Sequence, residues 1–259
     1  MPAVTTENNG SVSSLKEYSK TYFLTAGECN PQGEMPVTLL ASRFIEIATL
    51  HANELDFGYR RLMETGDVWV LSRLTIEMER LPEINTPYSV STWVESVNRH
   101  FSERNFEVRD ADGAVLGYGR SVWMAININD RSMASLAALD SLYAVINDKL
   151  CPVEKIKRFT PLDIDEHVRS SRYTFRYCDC DFNRHVNTVR YIELFLNQWT
   201  MEFFDRHRIK RLDIAFLHEE HFGNEVQVLL KEVEPDVFKG EIASGEEVST
   251  RAILKFEEI

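Results

Sequence analysis

Cysteine is scarce in this chain of 259 residues, and Cys29, Cys151, Cys178 and Cys180 show no CxxC or other metal-ligand spacing. Neither a metal nor an organic cofactor is expected. No apolar run approaches the ~20 residues of a spanning helix, so no membrane span is expected either. Residues 1–15 are rich in Ser, Thr, Asn and Gly but lack the apolar stretch of a signal peptide, and they read as a flexible leader. Without a secretory signal the thiols should stay reduced, which points to a cytoplasmic protein. Positive charge is also in deficit: 29 Lys and Arg against 41 Asp and Glu leave a net charge of −12. That excludes a general nucleic-acid binder, though not a local basic patch. What the chain does have is a 44% hydrophobic content, enough for a real core in one large domain or two small ones.

The chain reads as a diverged internal repeat. Arg43-Phe44-Ile45-Glu46 returns as Arg190-Tyr191-Ile192-Glu193. Each tetrapeptide lies in a predicted helix, after a strand beginning near Tyr22 or Phe23 in one half and Tyr173 or Phe175 in the other. Strand-like stretches follow each helix: 69–78, 88–97, 101–109 and 115–128, then 212–218, 225–233, 237–242 and 248–256. Asp110-Ala111-Asp112-Gly113 and Ser244-Gly245 supply turns. Each half is thus an α+β unit, one helix covered by a curved antiparallel meander. Open sheet edges invite aggregation, so the two sheets should join edge to edge. Residues 16–147 form the first unit and 169–259 the second. Residues 148–168, with Pro152, Pro161 and Lys155-Ile156-Lys157-Arg158, form a linker.

One short run carries the candidate chemistry. Asp181, Asn183 and His185 alternate along the chain just before apolar residues at helical spacing: Ile192, Phe195, Leu196, Trp199 and Phe203. In an extended segment alternate side chains share a side, so the three could project into one pocket. A helix is predicted from Thr188 to about Phe204, with Asn187 or Thr188 as its N-cap. Backbone N–H groups of 186–188, at the positive end of the helix dipole, could stabilise an oxyanion.

The run Asp181-x-Asn183-x-His185-Val186-Asn187, continued by Arg190-Tyr191-Ile192, resembles the acyl-acyl-carrier-protein thioesterases of fatty acid synthesis. Trp69-Val70-Leu71-Ser72-Arg73, Thr92-Trp93-Val94 and Ser121-Val122-Trp123 follow the order and spacing of that family's N-terminal domain. The resemblance covers about 18–256. It implies a tandem hotdog fold, the two helix-plus-sheet repeats joined into one continuous sheet. It also implies a catalytic second half and a first half that sets specificity.

Carried over by position, the resemblance makes Asp181, Asn183 and His185 catalytic, with a further Glu at Glu219. Glu220 remains the other choice for that Glu, and it stands where plant members place a cysteine, so a thiol mechanism lacks its nucleophile. The positions matched to the trio in the first half, Glu34, Pro36 and Thr38, lack its chemistry. The acyl chain would run into the first half, with Leu39, Leu40, Ile45, Trp69 and Leu71 as walls.

Glu219 could act as general base on a water, or attack directly through an anhydride. The implied activity is hydrolysis of fatty acyl-acyl carrier protein, the partner being acyl carrier protein with its acyl-phosphopantetheine arm. That acidic partner calls for a basic docking surface, in 206–211 or at Arg169 and Arg172. The alternatives are an acyl-CoA thioesterase of the same fold, a hydratase, for which Asn183 and Glu219 are a poorer fit, and a non-catalytic acyl-thioester-binding protein. A homodimer is left open.

Overall fold

Alternating burial along the strand-like stretches builds a single antiparallel sheet. The structure, a computed structural model, describes residues 16–155 and 158–259. The expected leader, 1–15, and two linker residues, Ile156 and Lys157, lie outside them. The first half supplies β1 (Glu17–Phe23), β2 (Asp67–Met78), β3 (Pro87–Val97), β4 (Phe101–Asp110) and β5 (Val115–Asn127). The second supplies β6 (Arg169–Thr174), β7 (His207–Phe216), β8 (Glu225–Glu234), β9 (Val237–Ser244) and β10 (Glu247–Glu258). Ten strands run in the order β1-β3-β4-β5-β2-β7-β10-β9-β8-β6. Both halves therefore have one plan, and β2 against β7 is the seam where they meet. This is the expected tandem hotdog with one continuous sheet.

Five helices accompany the sheet among the described residues: α1 (Val37–Glu54), α2 (Tyr59–Met63), α3 (Asp140–Ala144), α4 (Thr188–Leu196) and α5 (Met201–Phe204). None is long and apolar enough to cross a membrane. α1 buries Leu40, Phe44, Ile47 and Ala48, and α4 buries Tyr191, Ile192, Leu194 and Phe195. One apolar core contains both sets. Two glycines let the helices sit close. A Cβ on Gly119 of β5 would come within 2.2 Å of Phe44, and one on Gly240 of β9 within 2.5 Å of Phe195.

Three elements differ from the sequence reading. β1 and β6 end, rather than begin, at the predicted aromatics. The helix from Thr188 stops at Leu196, and Thr200 starts a new one by accepting from Phe203 N at 3.4 Å. The break turns Trp199 onto Phe238 and Phe256, with ring centroids 5.0 and 4.7 Å away. β7 starts at His207, so the basic run is a strand.

The linker is a strap. Gly119 faces α1, so by alternation Arg120 points to the opposite face of the sheet, where it donates to the Val153 carbonyl at 2.6 Å and the Cys151 carbonyl at 2.9 Å. Trp93 Nε1 donates to the Lys149 carbonyl at 2.9 Å. In the second half, Leu162 N donates to Glu241 Oε1 at 3.0 Å.

A charge network around the buried Asp213 closes the seam on that same face. Thr75 Oγ1 donates to Asp213 Oδ1 at 2.7 Å, and Arg211 donates to Asp213 Oδ2 and Glu77 Oε2, both at 2.7 Å. Arg211 also donates to the Glu154 carbonyl of the strap at 2.8 Å. Removing one partner of such a group leaves buried charge uncompensated. Arg211→Met should therefore cost about 3 kcal/mol or more, read as a fall in the urea unfolding midpoint. A midpoint within error of wild type would show that the network does not hold the seam.

Candidate functional site

Residues 181–185 form a tight turn, not the extended segment that alternation predicts. Asp181 N donates to the His185 carbonyl at 2.8 Å, and Arg184 N to the Asp181 carbonyl at 3.0 Å. The Asp181 carboxylate is short enough to reach its own backbone, and Oδ1 accepts from Asn183 N at 2.8 Å and His185 N at 3.2 Å. Arg184 takes up the left-handed conformation, φ 67°. Despite the lost alternation, Asp181, Asn183 and His185 line one cavity of about 760 Å³.

Asn187 caps α4, its Oδ1 accepting from Val189 N at 3.0 Å. Val186 N is bonded to the Glu220 carbonyl and Asn187 N to the Asp179 carbonyl, each at 2.8 Å. Of the three backbone donors expected at an oxyanion, those two are committed elsewhere. Thr188 remains, as the first residue of the helix and a lining residue of the cavity.

Just past the end of β7 the chain separates the two adjacent glutamates. Glu219 lines the cavity, its Oε1 3.5 Å from His185 Nδ1 and its Oε2 paired with Arg131. Glu220 is buried and turned away; its Oε2 accepts from Asn224 Nδ2 at 2.7 Å, and its N–H donates to the Tyr191 hydroxyl at 3.1 Å. Burial drives the Tyr191 hydroxyl pKa far up, which keeps it a neutral acceptor for that bond. Arg131 sits in the hairpin after β5, far from the trio in sequence, and nothing in its local pattern marks it.

Most of the remaining lining comes from the first half and is mostly apolar, joined by Val186, Tyr191 and Phe216 of the second. Of the expected walls, Ile45, Trp69 and Leu71 line it. Leu39 and Leu40 do not: Leu40 is sealed in the core and Leu39 packs against it. The α1 face that does line the cavity is one to three turns further on, at Ile45, Ala48, Thr49 and Ala52, where alanines leave room. Tyr59 and Phe182, one from each half, meet edge to face at 6.2 Å, and both are exposed.

The internal repeat survives at atomic detail in this turn. In the first half Asn30 N donates to the Glu34 carbonyl at 2.8 Å and Gly33 N to the Asn30 carbonyl at 3.0 Å. Asn30 Oδ1 accepts from Gln32 N at 3.1 Å and Glu34 N at 2.9 Å. Asn30, Gln32 and Glu34 therefore stand where Asp181, Asn183 and His185 stand, which corrects the matching of Glu34, Pro36 and Thr38 to the trio. The repeated tetrapeptides are one helical turn out of step with this equivalence. Gln32 donates to Asp205 Oδ1 at 3.0 Å, beside α5. There the rings of Trp199, Phe203, Phe238 and Phe256 pack together, mostly edge to face.

Residues 15–144 match the sequence model of the acyl-ACP thioesterase N-terminal domain, and 162–258 that of the C-terminal domain. An acyl-ACP thioesterase crystal structure from Bacteroides thetaiotaomicron is 34% identical and superimposes with a TM-score of 0.88, covering 96% of this chain and 100% of that one. The 12:0-ACP thioesterase from Umbellularia californica shares the fold at 18% identity, TM-score 0.85, over 98% of this chain and 100% of that one. The palmitoyl-acyl carrier protein thioesterase of Arabidopsis thaliana is 24% identical over 199 residues, 74% of this chain and 47% of that protein. The chain spans about half the length of the curated relatives it matches.

The cysteines do not enter the cavity, although Cys180 adjoins Asp181 and bridges Val186. Residues 177–179 form a 3-10 turn, so Cys178 is exposed and Cys180 half-buried, not packed between helix and sheet as a regular strand would place them. None of the four lines the cavity. Cys151 is buried, and burial pushes its thiol pKa up. Iodoacetamide should therefore label Cys178 of the folded protein first and Cys151 last, followed by peptide mass mapping. Early labelling of Cys151 would mean that the strap does not cover it.

Proposed function

The chain belongs to the acyl-ACP thioesterase family, and on that footing we propose that it hydrolyses fatty acyl thioesters of acyl carrier protein to free fatty acid. One observation carries the reading. Asp181, Asn183, His185 and Glu219 of the second half open onto the same cavity as the apolar walls of the first. That is the geometry a thioester needs: polar groups at the carbonyl and an apolar channel for the chain. The pantetheine arm enters past Tyr59 and Phe182.

Glu219 takes a proton from a water as its oxygen attacks the thioester carbonyl carbon. Arg131 and His185 hold that carboxylate from two sides. The Asn183 amide and the Thr188 N–H receive the oxyanion. Its collapse breaks the C–S bond, and the leaving thiolate takes a proton from the His185–Glu219 pair. Asp181 acts through the backbone, fixing the turn that presents Asn183 and His185. Free thiols, one of them exposed, suit a reducing, cytoplasmic setting.

Glu219→Gln should lower kcat by ~10²-fold, the scale of losing a general base, with little change in Tm. Glu220→Gln keeps an acceptor for Asn224 and should turn over near the wild-type rate. Steady-state thiol release on acyl-carrier-protein substrates reads both; the reverse ranking would reassign the base.

Carrier docking is expected at the mouth rather than on β7. Arg208 is 2.5 Å from Glu257, Lys210 2.5 Å from Glu79, and Arg211 belongs to the seam. Arg169 lies over Trp199 and Phe238, and Arg172 is 3.9 Å from Glu225. Arg60, next to Tyr59, and Arg184, next to Asn183, are exposed and have no ion-pair partner among the described residues. Reversing both to Glu should raise KM for acyl carrier protein by ~10-fold at low salt and flatten its salt dependence. An unchanged KM, with equal activity on acyl-CoA, would favour the acyl-CoA reading.

A further inference from the structure

The apolar channel has a charged wall. Arg104 of β4 is 4% exposed yet lines the cavity, alongside Ser102. Its Nη1 donates to His51 Nδ1 at 2.8 Å and to Thr92 Oγ1 at 3.3 Å. Nη2 and Nε are left over, and among the described residues no carboxylate pairs with the group. Burial alone pushes its pKa down to about 9, and no opposite charge offsets that. At neutral pH the guanidinium is therefore still a cation, held out of bulk water without a counter-charge, an arrangement that is costly unless something else accepts its bonds.

Its position in the sheet says what reaches it. Arg104 pairs with Ser121 on β5, Ser121 with Leu74 on β2, and Leu74 with Ile214 on β7. Those three strand spacings put it on the order of 14 Å across the sheet from β7, and Glu219 lies beyond the end of β7. Arg104 is thus remote from the thioester end, on the wall that the far part of a bound chain would touch. Arg104 and the α1 residues Ala48 and Ala52 line the same space.

We infer that this cavity recognises an oxygen-bearing group, a hydroxyl or carboxyl, on the part of the acyl chain remote from the thioester, with Arg104 as its donor. The inference rests on the cavity holding an acyl chain, as proposed above. A methyl-ended chain long enough to reach Arg104 would strip water from a cation and give nothing back. A hydroxyl or carboxylate would accept from Nη2 and Nε in a dry site, where such bonds to a charged group are strong.

The test compares saturated, ω-hydroxy and ω-carboxy acyl thioesters across a series of chain lengths, on wild type, Arg104→Met and Arg104→Lys. Over the lengths that bring the terminus to Arg104, kcat/KM of wild type should favour an oxygenated end over the matched methyl end by ~10-fold or more. Arg104→Met should reverse the order, and Arg104→Lys should restore part of it. The hydroxy and carboxy arms separate a neutral from an anionic ligand. Wild type favouring the methyl-ended chain at every length would overturn the inference while leaving thioester hydrolysis intact, and that comparison needs no variant to fold. Should no thioester be hydrolysed, the Tm shift given by the methyl esters of the ω-hydroxy acids and the monomethyl esters of the ω-carboxy acids against the methyl esters of the saturated acids reads Arg104 alone. An equal shift from all three esters would likewise overturn it.

Discussion

The pairing of β2 with β7 is the constraint on which the rest of this molecule depends. Either half alone would leave the edge of a twisted sheet unpaired and half a cavity open to water. The seam satisfies both edges with backbone bonds and reinforces them with Thr75, Asp213, Arg211 and Glu77. It also brings the end of β7, and with it Glu219, beside the β2 wall made by Trp69 and Leu71. The polar end of the cavity and its apolar channel are therefore placed against each other by one strand pair.

The fold is built twice, and the two copies have diverged where it matters. The backbone bonds of 30–34 and 181–185 correspond one for one, down to a side-chain oxygen at the first position that accepts two N–H groups. Since the backbone is the same, what distinguishes the copies is what each turn faces. The turn in the second half faces open volume beneath Ala48 and Ala52. The turn in the first half faces α5, beside rings that fill the space. Asn30, Gln32 and Glu34 are polar, yet Asn30 bonds its own turn, Gln32 reaches Asp205 and Met201, and none of the three lines the cavity.

Much of the sheet could be read in the sequence because strand burial alternates and turns carry Asp, Asn and Gly. The predicted strands from 69 to 128 fall within a residue or two of β2–β5. The break after Leu196 was hidden, because apolar spacing continues through Trp199 and Phe203 while the rings point into a different cluster. The trio was legible as a group but not in its conformation: alternation treats Asp181 as a free side chain, whereas its carboxylate is bonded to its own turn. Position alone left Glu219 and Glu220 open, and the fold separates them by burial. Arg131 and Arg104 were not legible at all, since each acquires its surroundings only when distant strands come together.

The strap has a consequence for mass action. Residues 149–153 are bonded to the first half and Leu162 to the second, and Arg211 of the seam also binds the strap. Two separate copies meeting at the same edge would come apart on dilution, and the cavity with them. Joined by a short, pinned segment, each half sees the other at a fixed and high effective concentration. The integrity of the cavity is then independent of how much protein is present, so a chain at nanomolar abundance retains the same site as one at millimolar.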